Sequence, residues 1–375
     1  MAHEFETGMF ARGLAAWHKL GTVLPPGHAA ETNAIEALRQ AGLDWSVEMR
    51  PAYIAQGDTM VRLPGVRAIV RATDGKILGN AGDVPRGGAN ARDGYVPLQN
   101  DGMARWFQPV LDAGEARIEA AASLFGGQRV YMLARIGHNG DSHASVVDGD
   151  EIVNHWLIAN DHSGKHSLRV ARCRTRVVCA NTLAAAFGEG TYVRIRHGKS
   201  MAETLDELRK VMTKERDAFS QDVGIFRELA TKSVTRAKLR EYVQAVFPES
   251  FKEEKKPVAP PLAVTGRGLL DEIMGGSAHA APIVTDEHRA EGKALVSEIL
   301  DRVEVLMESG RGANVPGVRG TMWGAYNAVN EYLQYEYGRG PAGATDKRMD
   351  AMLFGQPATW NALALQRAIE FGRGQ

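Results

Sequence analysis

The sequence predicts an α+β fold, with a mostly antiparallel, β-rich core and a helical C-terminal half. Three observations lead there. Between about residue 43 and residue 200, apolar residues recur with period two in short runs separated by Gly, Asn, Asp and Pro. From Met201 onward they recur at helical spacing among charged residues. Between residues 248 and 282, Pro, Gly and charged residues displace both patterns. A chain of 375 residues exceeds one ordinary domain core. The expected partition is a β-rich core domain over 1–200, opening on an irregular segment and a helix, then a helical extension over 201–247. A flexible linker over 248–282 and a helical region over 283–375, packing on the core, complete it.

Taken in order, Trp17 to Gly27 is irregular because Gly and Pro punctuate it. Glu31 to Ala41 places Ile35, Leu38 and Ala41 on one helical side, with Gly42 as a left-handed stop. Leu43 to Ala55 alternates as a strand, and Thr59 to Ala72 with Lys76 to Gly79 reads as a hairpin about Thr73-Asp74-Gly75. Gly79 to Asp93 reads as a surface loop. Asp101 to Ala113 is a helix capped by Asp101, with Trp106 and Phe107 as core. Strands follow over Ala116 to Phe125, Arg129 to Ile136 and Glu151 to Asn160. Asp161 to Lys165 is a turn leading into an arginine-bearing strand, Arg169 to Cys179. Asn181 or Thr182 is positioned to cap a short helix, Leu183 to Phe187, and Tyr192 to His197 is another strand. The segment from Met201 reads as one long amphipathic helix to about Ala230. Further helices are expected over Thr235 to Val246, Asp286 to Ser309, Thr321 to Tyr335 and Trp360 to Phe371.

Charge narrows the function classes. Lys and Arg number 45 and Asp and Glu 45. By segment the difference is 22 − 20 = +2 for residues 1–200 and 23 − 25 = −2 for residues 201–375. The chain is therefore no histone-like polycation, and any basicity is local. It concentrates in Lys165 to Lys199, which holds eight Lys/Arg against one acid, Glu189. Strand periodicity puts Arg172, Arg174 and Arg176 on one side, about 6.7 Å between neighbours. That repeat resembles the spacing of phosphates in an extended single strand. Cys173 and Cys179 share a strand face about 20 Å apart, too far to bridge, and are expected to be free thiols. No run approaches membrane-spanning length.

Other motifs weigh less. Gly310 to Gly320 looks like a phosphate loop, but Val318-Arg319 stands where Lys-Ser/Thr is required. Asp161, His162 and His166 could gather about a divalent metal, although their spacing matches no established ligand pattern.

Several segments together carry a family pattern: WHKLGT at Trp17 to Thr22, AGLDWSVEMRP at Ala41 to Pro51, SLFGGQRVYMLARI at Ser123 to Ile136, NDHSGKHSL at Asn160 to Leu168, RVVCANTL at Arg176 to Leu183, and GTMWGAYNAVNEYLQYEYGRG at Gly320 to Gly340. In that order the sequence resembles phage- and plasmid-related proteins that carry a domain of unknown function, DUF932. The resemblance implies a mobile-element origin and a cytoplasmic setting in a bacterial host. It implies no activity.

The leading functional expectation is a single-stranded nucleic-acid-binding protein, with DNA as the expected partner, acting in strand annealing or recombination without a chemical step. The residues expected to contact the strand are Lys165, Arg169, Arg172, Arg174, Arg176, Tyr192, Arg194, Arg196 and Lys199. No cofactor is expected. The alternatives are a metal-dependent enzyme acting on nucleic acid through Asp161, His162 and His166, and a module that docks on a host protein. Self-association is compatible with each.

Overall fold

The structure, a computed structural model, describes residues 10–11, 22–23, 33–82, 95–137, 142–177, 181–183, 193–212, 215–247, 286–337, 351 and 355–374. The α+β expectation holds, with antiparallel sheets in the first half and helices concentrated in the second. The chain forms two compact units. The first comprises Met1–His143, Val153–Cys173 and Tyr192–Asp217, and the second comprises Ala144–Ile152, Arg174–Thr191 and Ala218–Gln375.

In the first unit, strands β1 (Phe10–Ala11), β2 (Thr22–Val23) and β3 (Val47–Gln56) are followed by β4 (Thr59–Arg71) and β5 (Ile77–Gly82). Helices α1 (Ala34–Gln40) and α2 (Asn100–Asp112), strands β6 (Ala116–Leu124) and β7 (Arg129–Ile136), and helix α3 (Met201–Met212) also belong here. β3, β4 and β5 make one antiparallel sheet. β6 and β7 pair antiparallel, and β7 pairs with β9 (Asp150–Asp161) from Arg129↔Asp161 to Arg135↔His155. β10 (Leu168–Arg176) neighbours β9, and β12 (Val193–Ile195) pairs with β10. Period two on β9 turns Trp156 toward α2, where it meets Trp106 at 6.2 Å between ring centroids. Trp106 and Phe107 are buried, as their helical spacing predicts. The expected cap differs: Gln99 occupies the N-cap of α2 without a side-chain bond, and Asp101 lies inside the first turn.

β9 and β10 run on into the second unit, which also holds most of β8 (His143–Val147) and all of β11 (Asn181–Leu183). Its helices are α4 (Glu215–Thr231), α5 (Arg236–Val246), α6 (Asp286–Ser309), α7 (Met322–Tyr335) and α8 (Gln356–Arg373). α7 is the central element. Trp323, Tyr326, Val329 and Leu333 are all buried, and the Tyr326 hydroxyl donates to Asn361 of α8 at 2.8 Å. Thr235 and Thr321 cap α5 and α7 by accepting from the backbone N–H three residues on.

The helix expected from Met201 is helical over Met201–Met212 and Glu215–Thr231, and residues 213–214 lie outside the described residues. One further sequence expectation is corrected here. Asn181 and Thr182 do not cap a helix, because Asn181–Leu183 pairs antiparallel with Arg174–Arg176. The proposed helix beyond Leu183, the linker over 248–282, the loop beyond Gly82 and residues 17–21 lie outside the described residues. Among the described residues no helix is long and apolar enough to cross a membrane.

Candidate functional site

The arginines of β10 divide into two groups. Leu168, Val170, Arg172, Arg174 and Arg176 share one face by period two, and Leu168 and Val170 are buried there. Arg172 is half-buried, whereas Arg174 is 0% and Arg176 1% exposed. The expectation that these side chains form an exposed phosphate ladder is therefore corrected for Arg174 and Arg176. Both have buried carboxylate partners within the second unit. Arg174 Nε and Nη2 lie 2.8 and 2.7 Å from Asp222 of α4, and its guanidinium stands over Phe219. Arg176 binds Asp150 bidentately at 2.7 and 2.8 Å. Asp150 also accepts the Trp323 indole N–H at 2.8 Å. The remaining Arg176 donors reach the carbonyls of Arg311 and Gly312 at 3.2 and 3.0 Å. The loop that looked like a phosphate cradle thus presents carbonyls to a guanidinium, the opposite polarity to an anion site. Burying a charge without such partners would be prohibitive, so this network is best understood as core.

The turn after β9 is also interior. Asp161 and His162 are buried with Ser163. Asp161 Oδ1 accepts from Ser163 N and Oγ at 2.9 and 2.5 Å, and Oδ2 accepts from Arg129 at 2.9 Å. Desolvation pushes the Asp161 carboxyl up, but the Ser163 hydroxyl and the Arg129 guanidinium outweigh it and hold the pKa below the usual value. Gly79 and Gly164 let two backbones touch. A Cβ on Gly79 would collide with Ser163 O, and one on Gly164, at φ +75°, with Asn80 O. The turn is a packed junction with β5, closed by Asn80 N donating to Ser163 O at 3.3 Å.

His162 Nε2 lies 2.9 Å from Asn100 Oδ1. Asn100 Nδ2 donates to Leu43 and Trp45 carbonyls, which fixes Oδ1 as an acceptor and the proton on Nε2. Among the described residues Nδ1 is then a buried acceptor without a hydrogen-bond donor. Burial pushes His162 down to about 3, helped by His197 and opposed by Asp161. Burial likewise pushes His197 down to about 4, against the pull of Asp161. Tyr95 stacks on His197 at 4.8 Å and donates its hydroxyl to Asp161 O. Both imidazoles are neutral at physiological pH. The alternative metal set does not assemble: among the described residues no group of three or more His, Cys, Asp or Glu is placed to hold a metal. Asp161 is committed to Arg129 and Ser163, and Nε2 of His162 to Asn100, while His166 is exposed beyond the turn.

The accessible cations of the predicted set lie on and around β10 and β12 in the first unit. The antiparallel register sets Arg169 directly opposite Arg194, so both project from one face. Ile195 and His197 are buried while Arg194 and Arg196 are exposed, which extends the alternation and places Arg196 on the same side. Lys165 and Lys199, both exposed, flank them, and Arg169 is half-buried. His166 senses this ground: desolvation lowers its pKa first, and Arg129, Arg169 and Lys165 lower it further against Asp161. Tyr192 lies outside the described residues.

Register also assembles a row that sequence inspection missed. Arg117 of β6 pairs across to Arg135 of β7, which pairs to His155 of β9. Glu119 sits between the two arginines at 2.8 Å from each and is buried. Lone arginines in separate apolar strands give no local signal; a shared glutamate makes them a structural triad. Cys173 is buried, as expected, and forms no disulfide among the described residues, while Cys179 lies outside them.

Residues 90–353, well over half of the chain, match the family model described as Domain of unknown function (DUF932). Comparison with curated proteins and with solved structures finds no match.

Proposed function

This chain belongs to the DUF932 family, and we propose that it binds single-stranded nucleic acid through Lys165, Arg169, Arg194, Arg196 and Lys199. The observation that carries this reading is the Arg169↔Arg194 cross-strand pair. The register sets two guanidinium groups side by side on one face, where a single phosphate can meet both. Arg194 in β12 and Arg196 just past its end would be about 6.7 Å apart in extended backbone, a repeat suited to an extended strand's phosphates. Arginine adds bidentate contact to each phosphate. Five side chains on one short tract favour a flexible single strand over a duplex, whose phosphates diverge around a stiff cylinder. The role that fits is binding and annealing of DNA single strands, with no bond made or broken.

The test is competition. A labelled 30-residue oligonucleotide is challenged with unlabelled single-stranded and duplex DNA of the same sequence, and annealing of complementary strands is followed by fluorescence transfer. Preferential displacement by the single strand and accelerated annealing are expected. Equal displacement by duplex, or no binding at low salt, would overturn the reading.

A further inference from the structure

The β3–β4 arm carries chemistry that the cationic tract lacks. β5 covers β4 only over Val66–Val70. Between Pro51 and Tyr53 the β3–β4 register shifts, because Leu63, Pro64, Gly65 and Val66 oppose the single residue Ala52. Beyond that bulge stands a distal two-stranded hairpin, Tyr53–Arg62, closed by Gly57-Asp58. All ten of its residues are exposed. Tyr53 is 51% and Met60 66% exposed. Tyr53 lies directly opposite Arg62 and Ala55 opposite Met60, so Tyr53, Arg62 and Met60 share one face.

We propose that this distal hairpin is a nucleobase-stacking arm, in which the Tyr53 ring and the adjacent Arg62 guanidinium receive a base of the bound single strand. The proposal rests on the single-strand reading above and names the part of the ligand that the arm takes. Three features favour a base over a protein partner. Ten residues fall well short of the roughly 20–30 that a stable protein interface uses on each side, whereas a base needs a single ring face. Pro51 and Pro64 stand at the bulge where the arm begins and remove backbone donors there, which disfavours extending a partner strand past the arm's root. The pairing of an aromatic ring with a cation matches a base and its phosphate: the π-face stacks and the guanidinium neutralises. The arm's root supplies continuity with the cationic tract, since β5 is bonded to the turn that leads directly into Lys165.

The test compares the full chain with Tyr53→Ala and Tyr53→Phe by fluorescence anisotropy, on an oligothymidylate and on an abasic strand of equal length. An exposed tyrosine is expected to be replaceable without unfolding, and circular dichroism checks this. Tyr53→Ala should weaken oligothymidylate binding about 5- to 150-fold with the salt slope unchanged, leave abasic binding unaltered, and Tyr53→Phe should bind as the parent does. The proposal is overturned if Tyr53→Ala binds oligothymidylate normally, or loses as much on the abasic strand. It is also overturned if Tyr53→Ala instead dissociates an oligomer seen by sedimentation, which would make the hairpin a contact between copies. Should the parent bind neither strand, the single-strand reading falls first and this inference with it.

Discussion

Acid should destabilise the first unit well before its carboxylates protonate. His162 and His197 are buried and neutral, with pKa values of about 3 and about 4. In the unfolded chain both titrate near 6.5. The folded values lie below the unfolded ones, so the unfolded state takes up protons first as pH falls. Stability is full above about pH 6.5 and is lost progressively toward about pH 4 for His197 and about pH 3 for His162. Between pH 7 and pH 5 each histidine should forfeit about 2 kcal/mol, and the pair about 4 kcal/mol. That is a large share of a typical domain stability of about 5–15 kcal/mol. Asp161 adds nothing in this window, since its depressed pKa matters only below the ordinary carboxylate range. Urea denaturation at several pH values, with hydrogen exchange to localise the loss to peptides of the first unit, measures the effect. His197→Phe keeps the stack on Tyr95 and removes one titrating group, so it should remove about half of the acid sensitivity. A stability profile flat from pH 6.5 to 5, or an unchanged slope in His197→Phe, would refute the reasoning.

The core network gives two further expectations. Asp150→Ala leaves Arg176 buried without its carboxylate and Trp323 Nε1 without its acceptor, and should cost about 3–5 kcal/mol, read as a fall in the denaturation midpoint of the second unit. A combined Asp150→Leu/Arg176→Met replacement should recover most of that loss; equal destabilisation by the single and double variants would contradict a core role. Gly79→Ala drives a methyl into Ser163 O and should cost about 1–3 kcal/mol, seen as a lowered melting temperature, whereas an unchanged melting temperature would show that the β5–turn junction is slack.

The sequence made the regular elements legible wherever periodicity was long. Asp286–Ser309 is helical over the expected span, and β6, β7 and β9 fall where alternation put them. Helix starts were harder: Asp101 reads as a cap, yet Gln99 holds that position in α2 and Asp101 lies inside the first turn. The larger error concerned Arg174 and Arg176. A local window offers Glu189 as their sole acid, yet the carboxylates that bind them come from Asp222 and Asp150, 48 and 26 residues away. Counter-ions supplied by tertiary structure are invisible to a charge count. Period two correctly put the three arginines on one face; it could not tell that Leu168 and Val170 make it the core face. The cross-strand partners of Arg169 and Arg117 were equally hidden, since register depends on loops that carry no pairing signal.

The burial of Arg174 and Arg176 also changes how the binding claim must be tested, because removing them attacks folding. The direct measurement is the salt dependence of single-strand affinity for the parent and for Arg194→Ala/Arg196→Ala, two exposed positions outside the core. Five phosphate contacts predict a log–log slope of about −3.5 for the parent, and losing two should bring it to about −2, with the melting temperature preserved. A double variant that binds with the parent's affinity and slope would contradict the assignment of this tract as the nucleic-acid interface.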